Sequence, residues 1–111
     1  MKKEDFYDLH ADFCKTLSNP RRQSIIDTIR KNEMTVSSLV KKTGISQANL
    51  SQHLAILRAK GVVHARREGN NIYYSIKNPK IMEAYDLISE VLKESIQSRN
   101  KTVTDMFKDK K

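Results

Sequence analysis

Four helical stretches, a switch to period-two patterning around Gly69-Asn70-Asn71, and a last long helical stretch predict a mainly α fold with one small β-hairpin. The element order is ααααββα. Two of the helices, within about residues 35–60, are joined by a short glycine turn, and the hairpin at about 62–77 follows directly. A helix-turn-helix followed at once by a hairpin is a winged helix-turn-helix. The 111 residues are read as one domain, large enough to hold a core without disulfides or a structural metal.

The first helix is expected over about residues 4–17. Phe6, Leu9, Phe13 and Leu17 recur at helical spacing, with Tyr7, His10 and Cys14 as a second stripe. So wide a stripe belongs to a helix covered on two sides. Ser18-Asn19-Pro20 is a start signal, a small polar cap before proline at the first helical position. The second helix then runs to about Lys31 with Ile25, Ile26 and Ile29 inward, and Asn32 and Glu33 close it. Thr35 or Ser37 caps a short third helix that carries Val36, Leu39 and Val40. Gly44 breaks it, Ile45 is the buried residue of the turn, and Ser46 caps a fourth helix that stops at Gly61.

Past Gly61 the strand pattern sets Val63 and Ala65 against His64 and Arg66, then Ile72, Tyr74 and Ile76 against Tyr73 and Ser75. Asn78-Pro79 opens the last helix, over about residues 79–98 or beyond. Ile81, Tyr85, Ile88, Leu92 and Ile96 form its main stripe, Val103, Met106 and Phe107 extend it, and the KDKK ending is expected to fray.

On a wheel of the fourth helix, Leu50, Leu54 and Leu57 fall together, and Ala48, Ser51, Gln52, Ala55 and Ala59 fall opposite. A face of small side chains lets a helix backbone enter the DNA major groove, which is only about 12 Å wide. The first residues of such a helix reach base edges. Here these are Ser46, Gln47, Ala48 and Asn49, then Ser51 and Gln52. Gln47 and Gln52 suit bidentate bonding to adenine, the Ala48 methyl suits a thymine methyl, and the serines suit phosphate or base. Asn49 and His53 lie toward the flank, and His53 is read as a packing residue. In the wing, Arg66, Arg67, Asn70 and Asn71 are the candidate contacts to phosphate or a narrow minor groove. Arg21, Arg22, Lys41, Lys42, Arg58 and Lys60 are weaker phosphate candidates.

The charge agrees. The chain holds 21 Lys and Arg against 13 Asp and Glu, a formal net charge of +8, which favours polyanionic partners. Its one cysteine, Cys14, excludes an internal disulfide and fits a reducing cytoplasm. No signal-like run opens the sequence, and no apolar run approaches the ~18 residues that mark a membrane span. No HExxH, P-loop or Gly-rich phosphate loop occurs, and His10, His53 and His64 lie on three separate elements. A non-enzyme is expected, without cofactor or metal.

The stretch LSNPRRQSIIDTIRKNEMTVSSLVKKTGISQANLSQHLAILRAKGVVHARREGNNIYYSI, residues 17–76, resembles the ArsR/SmtB family of small winged-helix repressors. The LSNPRR opening, the SQxNLSQHLxxLRxxGxV helix and the RxGxxxYY wing stand in order. The resemblance implies a homodimer joined through the first and last helices, binding an imperfect inverted repeat in double-stranded DNA and repressing transcription. The apolar surface of the terminal helices, larger than so small a core needs, points to the same pairing.

The family's metal sites are not matched. Thr35 and Ser37 stand where one site has thiolates, and of Asn78, Lys80, Val91 and Glu94 at the ligand positions of another, the amide, the cation and the methyl-bearing side chain cannot assemble tetrahedral zinc. His10 and Cys14, four apart on one helix face, are the remaining candidate sensor, with packing as their alternative role. Two other functions fit the fold: a winged-helix module for protein contacts, and a DNA-coating protein without sequence preference.

Overall fold

The computed structural model describes residues 1–107, so the KDKK tail at 108–111 lies outside the described residues. The chain divides into two compact units, Met1–Asn78 and Pro79–Lys111. The first unit runs α1 (Lys3–Leu17), α2 (Pro20–Ile29), β1 (Met34–Thr35), α3 (Val36–Thr43), α4 (Gln47–Ala59), β2 (Val63–Glu68) and β3 (Asn71–Ile76). In the second, α5 (Lys80–Phe107) is a single helix of 28 residues that continues through Val103 and Met106.

Capping sets the helix boundaries. The Asn19 side chain accepts from the backbone N–H groups of Arg21 (2.9 Å) and Arg22 (3.2 Å), with Pro20 filling a position whose missing donor costs nothing. Thr35, not Ser37, caps α3 by accepting from the Ser38 amide at 3.3 Å. Gly44 ends α3 in the left-handed region at φ 75°, its N–H bonded to the Val40 carbonyl. Ser46 caps α4 through the Asn49 amide at 3.3 Å.

The end of α4 is a Schellman motif. Gly61, at φ 77°, donates to the Arg58 carbonyl, and Val62 donates to the Leu57 carbonyl. Leu57 and Val62 are both fully buried, so the turn that stops the helix also returns the chain to the core.

That core holds Ile25, Ile26 and Ile29 of α2, Leu39 of α3, Leu50, Leu54 and Leu57 of α4, then Val62 and Val63, none more than 2% exposed. Ile45 in the helix-turn-helix joint is buried as well. Within the single chain α1 is little covered. Thr16 is its one buried residue, while Phe6, Tyr7 and Leu9 are each more than half exposed.

The strands correct the two-strand expectation. α2 stops at Ile29, and the chain then forms β1, which pairs antiparallel with β3 through Met34 with Tyr74 and Thr35 with Tyr73. The sheet order is β1-β3-β2, so β3 lies in the middle. Its residues from Ile72 to Ile76 are all half-buried instead of alternating, and Tyr73, which alternation would leave open, lies under the Arg66 guanidinium. Asn71 belongs to the ladder opposite Glu68, which leaves Gly69-Asn70 as the hairpin loop. Gly69 takes φ 61° and Asn70 a negative φ, the pattern of a type II′ turn.

Candidate nucleic-acid interface

α4 presents two chemically opposite sides. Leu50, Leu54 and Leu57 are no more than 1% exposed, whereas Ser46, Gln47, Ala48, Asn49, Ser51 and Gln52 are all exposed. No side chain among the described residues bonds to the amides of Gln47 or Gln52, so their donors and acceptors face outward unspent. Ala55 and Ala59 continue the low relief toward the C-terminus. Ile56, 37% exposed, is an apolar residue on this outer side. The leucine period does not announce it, although a helical wheel of α4 places it outward. Beside the start of α4 a shallow cleft is lined by Arg21, Ser24, Thr43, Ser46 and Asn49.

The basic candidates separate by what holds them. Arg67 is exposed and pairs with no carboxylate among the described residues. Arg66, by contrast, donates to both oxygens of Glu33 and, from Nη1, to Glu68 at 2.6 Å. Its Cζ lies 4.8 Å from the ring centroid of Tyr73, the residue paired with it in the ladder. The Arg66 guanidinium beside Glu33 holds that carboxyl below its ordinary range. Lys60 bonds Asp12 of α1 at 2.6 Å and lowers its pKa likewise. Arg22 donates from Nε to His53 Nδ1 (3.3 Å) and from Nη1 to the Thr16 carbonyl (3.3 Å). No periodic signal announces Glu33 or Asp12, because their partners lie 33 and 48 positions away. Lys41, Lys42 and Arg58 are exposed.

His53 packs on the flank of α4, as expected, and desolvation followed by the charges of Arg22 and Arg21 pushes its pKa below 6.5. The folded state thus prefers neutral His53, whose Nδ1 accepts from Arg22. The contribution is present in full above about pH 6.5, the unfolded value, and is lost as pH falls through the lower folded value. Denaturation midpoints at about pH 7.5 and about pH 5.5 should show a loss of stability on acidification that shrinks in His53→Gln. Asp12 and Glu33 are carboxylates with lowered values, so their own losses fall at more acid pH.

Residues 19–65, from the α2 cap to the first half of the wing, match the bacterial regulatory protein family arsR. Across nearly its whole length the chain is 37% identical to the HTH-type transcriptional regulator Rv0081 of Mycobacterium tuberculosis, over 107 residues that span 96% of this chain and 94% of the relative. The chain belongs to the ArsR family. The crystal structure of Rv0081 superposes with a TM-score of 0.79 at 39% identity, covering 85% of this chain and 95% of that one. The homodimeric winged helix-turn-helix DNA-binding domain of Mb0332 from Mycobacterium bovis superposes with a TM-score of 0.78 at 31% identity, covering 86% and 89%. A transcriptional repressor SmtB homolog of Synechocystis is 32% identical over 85 residues, 77% of this chain and 64% of that one.

This ArsR-family chain is a winged helix-turn-helix transcriptional regulator. Among the described residues no helix is long and apolar enough to cross a membrane. Cys14 Sγ lies 3.5 Å from His10 Nδ1, both exposed on α1, with Phe6 tilted against the His10 ring at 6.0 Å. No cluster of three or more His, Cys, Asp or Glu side chains able to hold a metal occurs among the described residues.

Proposed function

We propose that the chain is a cytoplasmic repressor that binds an inverted-repeat operator as a homodimer, acting as a single module by binding and not by catalysis. The exposed, low-relief face of α4 opposite three fully buried leucines carries this reading. Each protomer lays α4 in the major groove of one half-site, with Ser46, Gln47, Ala48 and Asn49 leading and Ser51 and Gln52 one turn behind. The wing lies along the adjacent backbone, where Arg67, Asn70 and Asn71 meet phosphate or the minor groove. Arg21, in the cleft beside the start of α4, takes a further phosphate.

Two observations support the dimer: the homodimeric state of the Mb0332 domain, and the apolar exposure of the terminal helices, from Phe6, Tyr7 and Leu9 to Leu87, Ile88, Val91 and Leu92. Repression follows the SmtB homolog.

Selection of bound duplexes from a random pool tests the proposal. The expected product is an enriched inverted repeat, whereas uniform binding with a steep salt slope identifies a DNA-coating protein instead. Gln47→Ala should cost about 1–3 kcal/mol and relax preference at one position in each half-site. An unaltered preference removes Gln47 as a base reader.

A further inference from the structure

Two adjacent arginines on β2 have different surroundings. Successive side chains of a strand point to opposite faces. Arg67 is open to solvent, while Arg66 is held by Glu33, Glu68 and the Tyr73 ring. One cation between two carboxylates makes a group of net negative charge, and that group repels a phosphate. The bidentate fork to Glu33 also fixes the guanidinium plane, and with it the strand. Glu33 immediately precedes β1, which pairs with β3, so the trio ties the outer strand of the wing to the segment beyond its far edge.

We propose that Arg66 is a positioning residue of the DNA interface: clamped by Glu33 and Glu68, it fixes the wing so that Arg67 and the Gly69-Asn70 tip meet the duplex. The proposal rests on the DNA-binding reading above. Isolated surface pairs contribute little. Here three charged hydrogen bonds and a ring contact converge on one rigid group, and the task is only to hold a short hairpin at one angle.

The consequence runs against simple electrostatics. Removing a carboxylate from a DNA-binding protein ordinarily strengthens binding, because repulsion falls. Glu33→Gln should instead weaken operator binding by about three- to ten-fold, as the clamp is lost. Arg66→Gln should weaken it to a similar extent with no change in the dependence of log K on log salt. The double variant should be no worse than either single one. Arg67→Gln should lower that salt slope by about one, the mark of a lost phosphate contact.

Titrations of the full-length variants against the selected operator across a salt series provide the test, with circular dichroism confirming that each is folded. Glu33→Gln binding as tightly as the parent or more so, or Arg66→Gln lowering the slope by about one, overturns the proposal. If the parent itself shows no preference among duplexes, the DNA-binding reading has failed. Hydrogen exchange at the amides of β2 and β3 then decides the clamp, which holds if exchange quickens in Glu33→Gln and falls if it does not.

Discussion

Ile88→Asp should leave α5 helical, convert the protein to a monomer and lower operator affinity by at least about a hundredfold. Ile88 is 70% exposed in the single chain, between Leu87 at 62% and Val91 at 65%. A charge there costs the isolated fold little, since the side chain is mostly open to solvent among the described residues. In a two-fold dimer the change enters the interface twice. Burying a carboxylate among apolar groups costs several kcal/mol per ion, on the order of what a few buried leucines contribute together. Without the partner, the second half-site is no longer reached at high effective concentration, and affinity falls to that of one helix and one wing. Analytical ultracentrifugation and operator titration check both parts. A variant that remains dimeric would place the interface elsewhere than on this stripe.

Leu54→Ala carries the second large effect, on stability. Leu54 is 1% exposed, between Leu50 and Leu57, both at 0%. Truncation removes three heavy atoms from a site with no solvent access and leaves a cavity that helix backbones close poorly. The expected loss is about 2–5 kcal/mol. For a small domain that is a large share of a total of roughly 5–15 kcal/mol. Urea denaturation measures it. The neighbouring Ala55→Ser, on the exposed face, should change the midpoint little. A loss below about 1 kcal/mol for Leu54→Ala would mean that the stripe is not the core-facing side of α4.

Much of this organisation is legible in residues that punctuate the chain. Asn19-Pro20, Gly44, Ser46 and Gly61 each mark a boundary through a local backbone requirement, and the structure places each where that requirement is met. The outer face of α4 is equally legible, because it follows from the leucine period alone. Met34-Thr35 is not, since two residues carry no period and their strand character comes only from pairing with Tyr73 and Tyr74. The alternation assigned to β3 fails for a similar reason: Tyr73 is covered by Arg66, a side chain from the neighbouring strand that the period of β3 does not announce. Glu33 reads as the polar end of a helix until Arg66 is brought beside it. Side-chain networks that join distant segments have no signature in composition or spacing.

The tight stop at Gly61 has a consequence for the shape of the DNA site. Only Lys60, Gly61 and Val62 separate the last residue of α4 from the first of β2, and two backbone hydrogen bonds lock them. One inserted residue here would turn the hairpin over, putting Val63 outside and His64 inside. The reach from α4 to the wing is thus a fixed length, and in the proposed docking it acts like the gap between the prongs of a plug. Operators for this protein should tolerate changes of base at single positions far better than the gain or loss of one base pair between the bases that the helix reads and the backbone that the wing touches.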